Sequence, residues 1–428
     1  MMTWTVNPWW VLALACPVLL LGEFLVRRIR WLARFNIPVS VAGGLTVALF
    51  VLAVNLSGVA RVALQTDVSA RWWTWLVTSG AEWARTPSAP VNRPFLVAFF
   101  TCIGLNVSWR VARRGGWPML MFLFVTTLLA VVQNGVGVGL AHLLGASPLL
   151  GLVCGAVTLT GGHGTSAGCA DAIAAAGLPE AAVFGAAAAT FGLMTGSLVG
   201  GPVGGFLIRR KALRPGRTAV EEAQGFVRRE ADFLRDVRTF AGYGWKGVLH
   251  LLVLLACIKA GAEVSTLMVK VGLKFPVYIG SMLLGVLLRN ALDLLGKRWI
   301  RTEVVGTLSV LMLGLFLSIS LMSLQLANLA NAALPMLVIL CAQVVVMALF
   351  AAFVTYPLMG RDYDGAVMAG GHCGFGLGNT ANAMATMEVL VERFGPSPRA
   401  FLIVPVVGGF LLDFTNALVI TVTLNWIG

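Results

Sequence analysis

Long apolar runs, broken by short polar loops, set the pattern along this chain. About twenty apolar residues match the hydrocarbon thickness of a bilayer. The runs predict ten membrane-spanning helices, at about 9–26, 37–56, 94–109, 118–142 and 182–208, then 247–268, 275–290, 303–325, 334–356 and 400–426. The predicted fold class is therefore an all-α polytopic membrane protein. The first run, Trp9 to Leu25, has no basic stretch before it and arginines after it. That is how a true span ends, and not how a cleavable signal peptide is built.

Two stretches interrupt the pattern. TGGHGTSAG (160–168) lies between spans four and five, and AGGHCGFGLGNTANAMATM (369–387) between spans nine and ten. Both are rich in glycine and small polar residues. Neither reads as a full span, because the alternation of basic loops would fail after it. That alternation is regular. Arg27, Arg28, Arg30 and Arg34 follow span one; Arg110, Arg113 and Arg114 follow span three; Arg209, Arg210 and Lys211 follow span five; Lys297, Arg298 and Arg301 follow span seven; and Arg361 follows span nine. Basic loops stay on the cytoplasmic side, so both termini are expected outside. Trp4, Trp9 and Trp10 then form an outer aromatic belt. The tryptophan-bearing loop 57–93 is expected either as a short amphipathic helix at the outer interface or as ordinary external loop.

Composition changes the picture little. The chain has 428 residues, 58% apolar and 11% charged, with a mean hydropathy of +0.87; a soluble globule is about 25% charged. The net charge of +13 is a topology signal and not a nucleic-acid surface, because it sits in short loops. Seven cysteines (16, 102, 154, 169, 257, 341 and 373) fall in or beside apolar segments without metal-site spacing. They read as buried thiols.

Residues 209–246 are the one long charged stretch, and they read as a cytoplasmic linker. The segments on its two sides resemble each other. IPVSVAGG (37–44) parallels FPVYIGSM (275–282), TGGHGTSAG parallels AGGHCGFGLG (369–378), and PVGGFL (202–207) parallels PVVGGFLL (405–412). Gln133 precedes His163 by 30 residues, and Gln343 precedes His372 by 29. Five spans per half is an odd number, so the second half enters with opposite orientation. The expected organisation is an inverted repeat: 1–208 with a re-entrant loop at about 150–178, the linker 209–246, and 247–428 with a re-entrant loop at about 364–390.

In such an architecture the substrate site lies near the midplane, where broken segments meet. Backbone that is not helical at that depth survives only against protein or a wet cavity. Free N–H groups at the start of a short helix attract an anion, and free carbonyls suit a small hard cation such as sodium. Close packing through small residues also explains one glycine-rich stretch, but two matched stretches favour a site. The candidate substrate-binding residues are Gly162, His163, Gly164, Thr165 and Ser166, with His372, Gly374, Gly376, Gly378, Asn379, Thr380 and Asn382. The two histidines are read either as ligands or as props for the hairpins.

Ionisable residues at membrane depth are costly and mark function. Asp413 is mid-span with Asn416 one turn away, and the pair is read as sodium ligands. Asn106 and Gln133, polar groups at unfavourable depth, complete the candidate sodium set; Asn134 lines the cavity or joins helices. Lys259 and Glu263, four apart, are expected to neutralise each other, as are Glu23 and Arg27. No organic cofactor is expected. An intramembrane enzyme needs an activated nucleophile. GHGTS holds His163 and Ser166, but no GxSxG arrangement is present and the duplicate motif lacks the serine. A channel is the other class, distinguished by the absence of uphill accumulation.

GGHGTSAG, GRDYDGAVMAGGHCGFGLGNT, FGPSPRAFLIVPVVGGF and FLLDFTNALV resemble the bacterial sodium/glutamate symporter family, and TCIGLN, VVQNGVGVG and NAALPMLVIL fit it too. The resemblance covers nearly the whole chain. It implies sodium-coupled uptake of glutamate across the inner membrane, two five-span repeats each with a re-entrant loop, and a homodimer; with the outside placement read from the basic loops, the termini are then periplasmic and the partners include membrane lipid. Three departures stand out. Thr380-Ala381 replaces a Thr-Pro pair, Ser166 and Cys169 stand where a glycine-alanine pair and a tryptophan are usual, and loop 57–93 is long. The alternative is a sodium- or proton-coupled transporter of another small anion, a dicarboxylate or related amino acid, with a histidine as the proton carrier.

Overall fold

A computed structural model describes residues 2–35, 37–58, 60–80, 83, 88–109, 116–215, 233–270, 278–297, 299–324, 326 and 332–427. Residues 216–232 of the linker, with the arginines 110, 113, 114 and 298, lie outside these residues. The principal helices are α1 (Pro8–Arg28), α2 (Val39–Leu56), α3 (Arg93–Asn106), α4 (Gly116–Leu143), α5 (Pro148–Leu152), α6 (Gly162–Ala175) and α7 (Ala181–Arg210). After the linker come α8 (Trp245–Lys270), α9 (Ile279–Leu294), α10 (Thr302–Met322), α11 (Ala333–Phe350), α12 (Tyr363–Gly376), α13 (Thr380–Phe394), α14 (Pro398–Val406) and α15 (Leu412–Ile427).

Seven helices among the described residues are long and apolar enough to cross a membrane, and the bent pair α14–α15 makes eight. The chain is a multi-pass membrane protein. The expected spans at 94–109 and 275–290 correspond to α3 and α9, of 14 and 16 residues. At 1.5 Å per residue these reach only about 21 and 24 Å. The α14–α15 bend of 46° falls where Pro405 removes a backbone donor and a π-helical turn, Val407–Leu411, follows.

The chain divides into two compact units. One is Met1–Trp109 with Glu230–Asn328; the other is Arg110–Arg229 with Leu329–Gly428. Each draws one segment from either side of the charged stretch.

In the first unit, small residues let helices touch backbone to backbone. A Cβ on Gly22 or Gly43 would run into the facing carbonyl of Val39 or Val18, so α1 and α2 pack without side chains between them. Gly104 of α3 meets the Met282 carbonyl of α9 in the same way. Asn7 caps α1, accepting from the Trp9 amide at 3.0 Å. Glu23 and Arg27 form the expected pair at 2.5 Å.

Of the two readings of loop 57–93, its described residues go against the amphipathic helix and leave the external loop. Ala60–Leu64 pairs in parallel with Met2–Val6, Asp67–Val68 pairs with Ala89–Pro90, and Arg71–Thr74 makes a single helical turn. Among the described residues, two small sheets therefore accompany the helices. Trp72 stacks on Trp9 at 5.3 Å, with Trp73 edge-on. Lys259 and Glu263 lie 3.9 Å apart, but each also does something the sequence did not reveal. The Lys259 ammonium donates to the carbonyls of Trp75 (3.0 Å) and Thr78 (2.8 Å), and Glu263 accepts from the Gly80 amide at 2.8 Å. The pair clamps the loop. A correction concerns the cysteines: all are free thiols, but Cys16 and Cys341 are exposed on the protein surface.

The second unit contains two broken segments, each following a long helix. The long helix α4 leads to α5 and a π-helical turn, Val153–Val157, then a break at 158–161, then α6 and long α7. The long helix α11 and its π-helical turn, Ala351–Thr355, lead to α12, a break at 377–379, α13 and the bent pair. With 14 or 15 residues, α6, α12 and α13 are about 21–23 Å long. That is shorter than a hydrocarbon core of about 30 Å.

Candidate functional site

The two breaks meet. Gly162 opens α6 with φ +64, the left-handed region that glycine adopts freely. A Cβ there would stand 3.2 Å from the Gly378 carbonyl of the second break. Around this meeting point Gln133 acts as a bracket. Its Nε2 donates to the Gly376 carbonyl at 2.7 Å, and its Oε1 accepts from Thr160 at 2.6 Å. One side chain on α4 thus ties the end of α12 to the first break. Asn134 beside it accepts from the Ala156 amide at 2.9 Å and donates to Thr423 at 3.2 Å.

The matched GGH motifs do not occupy matched places. Gly161-Gly162-His163 sits at the start of the helix after its break. Gly370-Gly371-His372 lies inside α12, before its break. His163 bonds Thr190 on α7 at 3.0 Å. Thr190 also lies 2.8 Å from the Ala186 carbonyl, to which its hydroxyl donates. His372 is fully buried between the edges of Phe122 and Phe350. Its Nδ1 pairs with Thr355 at 2.8 Å, and its Nε2 has no partner.

The other candidate substrate residues divide by surroundings. Thr165 and Ser166 are buried, and the Ser166 hydroxyl packs against Gly185 of α7. Gly164 is half-buried on α6. Gly374 lies against the Asn382 carbonyl, and a Cβ on it would come within 2.7 Å. Asn379 caps α13, accepting from the Asn382 amide at 2.9 Å, so part of that helix terminus is already satisfied. Thr380 is the first residue of α13. Asn382 is fully buried; its Nδ2 donates to the Leu193 carbonyl at 2.8 Å, and its Oδ1 has no partner.

Of the candidate sodium ligands, Gln133, Asp413 and Asn416 belong to this unit. Asn106, at the end of α3, belongs to the other, where its Oδ1 is buried without a partner. Asn416 donates to the Ala156 carbonyl of the first broken segment at 3.1 Å, leaving its Oδ1 unpartnered. Asp413 is half-buried, and its carboxylate makes no hydrogen bond or ion pair among the described residues. Sequence reasoning passed over Gln343 as a site residue. It is fully buried on α11, donates to the Gln133 carbonyl at 2.6 Å, and carries an unpartnered Oε1. Its only advance signal was its place ahead of His372. Among the described residues no three His, Cys, Asp or Glu side chains cluster as a metal site. The oxygen-rich set suits a hard cation instead.

Comparison with known proteins identifies the family. The family model described as sodium/glutamate symporter matches residues 5–79 and 73–396. The chain is similar to the sodium/glutamate symporter of Escherichia coli (strain K12), at 38% identity over 96% of this chain and 95% of that protein. It is also similar to the sodium/glutamate symporter of Haemophilus influenzae, at 36% identity over 99% and 98%. No solved structure matches. With a family model spanning most of its length and two near-full-length relatives, the chain belongs to the sodium/glutamate symporter family.

Proposed function

We propose that this protein is a secondary transporter that carries L-glutamate into the cell together with sodium, by alternating access. The observation that carries the reading is the meeting of two broken segments, Gly162 against Gly378, beside buried carboxamide oxygens without partners. Amide groups at the breaks hold the substrate carboxylates. Gly162, His163, Gly164, Thr165 and Ser166 line one side; His372, Gly374, Gly376, Gly378, Asn379, Thr380 and Asn382 line the other. Asp413 and Asn416 hold sodium, while Gln133, with both ends of its amide taken, ties the two breaks together. No organic cofactor takes part, and the protein is not an enzyme.

The chain sits in a bacterial inner membrane as ten spans in two inverted repeats, 1–208 and 247–428, joined by the cytoplasmic linker 209–246. Its termini are periplasmic and it works as a homodimer. The short α6, α12 and α13 support re-entrant segments at about 150–178 and 364–390, because none reaches across a bilayer. Proton coupling, or another small anion as cargo, is the second reading; the unpartnered Nε2 of His372 favours testing it.

The test is uptake of labelled L-glutamate into proteoliposomes with an inward sodium gradient, against choline at the same pH, with aspartate and dicarboxylates as competitors. Sodium-dependent accumulation against a glutamate gradient, blocked best by glutamate, is expected. Accumulation that persists in choline and follows a proton gradient would remove sodium coupling.

A further inference from the structure

Three buried carboxamides in the second unit share one arrangement. Asn382, Asn416 and Gln343 each donate an N–H to a main-chain carbonyl, of Leu193, Ala156 and Gln133 respectively. Each is left with a side-chain oxygen that has no donor. A carbonyl accepts only, so it dictates which end of each amide is nitrogen and where the oxygen must be. Buried polar atoms are nearly always satisfied, and an exception calls for a missing ion or water. Gln133 stands in contrast, since both ends of its amide are taken, by Gly376 and Thr160.

We infer that Gln343 supplies a neutral oxygen ligand to the coupling sodium, and that Gln133 does not touch the ion but holds the two breaks together. Gln343 is placed for this role. Its helix packs on α4 and on the π-helical turn of the first broken segment, the segment whose Ala156 carbonyl anchors Asn416. Its other amide end is fixed, so little side-chain freedom is lost when the oxygen takes a cation.

The inference rests on the sodium-coupled reading, and the experiment separates the two. Purified protein is heated at a series of sodium concentrations, without glutamate, with choline holding ionic strength constant. Wild type is expected to gain thermal stability with sodium; if it gains none, the sodium-coupled reading itself fails. Gln343→Leu is expected to raise the half-saturating sodium concentration about tenfold, the usual weight of one hydrogen-bond-grade ligand. Gln343→Glu, which keeps an oxygen and adds charge, is expected to hold or lower it, and it serves if the leucine variant does not fold. Gln133→Leu is expected to melt earlier at every sodium concentration with a midpoint within about threefold of wild type. An unchanged midpoint in Gln343→Leu, a raised one in Gln343→Glu, or a tenfold shift in Gln133→Leu overturns the assignment. A parallel glutamate titration at saturating sodium distinguishes the substrate ammonium as the occupant. Loss of glutamate affinity with the sodium midpoint intact would move Gln343 to the substrate and refute the inference.

Discussion

At Gly162 one residue decides how close the two broken segments come. Its φ of +64 is open to glycine and strained for alanine, by about 1–3 kcal/mol, and a methyl group would press on the Gly378 carbonyl. Gly162→Ala is therefore expected to lower glutamate uptake strongly while the protein still reaches the membrane; wild-type uptake rates would show that the contact is not needed. Gln133 shows how far a residue can be read in advance. A glutamine at membrane depth was conspicuous in the sequence and pointed to an ion. Its partners were not visible, because Gly376 lies 243 positions away. The same holds for Lys259 and Glu263. Their spacing of four predicted a pair, but nothing in it revealed the carbonyls and amide of the loop they clamp.

Helices in this protein are positioned by what their glycines allow. Where Gly104 lets α3 touch the α9 backbone, any side chain forces the pair apart. Overpacking costs about 1–3 kcal/mol even against movable side chains, and here the obstacle is backbone. Gly104→Leu is expected to lower the melting temperature of the purified protein, whereas Gly135→Ala, whose Cβ meets nothing within 4 Å, is expected to leave it unchanged or raise it. Equal effects would mean that the close α3–α9 contact carries no stability. Element lengths separate the legible from the hidden. Apolar runs announced the long helices, and the small polar stretches announced that something interrupts them. The exact breaks at 158–161 and 377–379 did not show in the motifs, because a GGH sequence is compatible with both the start and the interior of a helix.

At the scale of the whole chain, function depends on charge balance across the membrane. Glutamate enters as a monoanion against an inside-negative potential, which opposes it by about 2.3 kcal/mol per 100 mV. One sodium ion makes the step neutral, and two or more let the potential drive it. Imposing an inside-negative potassium diffusion potential on proteoliposomes is expected to raise the initial rate of sodium-dependent uptake; indifference to the potential would fix the ratio at one. The grouping of the chain was decided by packing. The sequence divides at its charged stretch, and motif pairing follows that division. The compact units instead join Met1–Trp109 to Glu230–Asn328 and Arg110–Arg229 to Leu329–Gly428, because glycine-to-backbone contacts such as Gly104–Met282 and Gly162–Gly378 connect residues on opposite sides of it. The sequence alone determined that the protein lives in a membrane, where its apolar runs are interrupted, and which family it resembles, since these follow from hydropathy and motif order. Only the tertiary structure decided which of its buried amides are already satisfied and which still present an oxygen, because a hydrogen-bond partner is a matter of position in space.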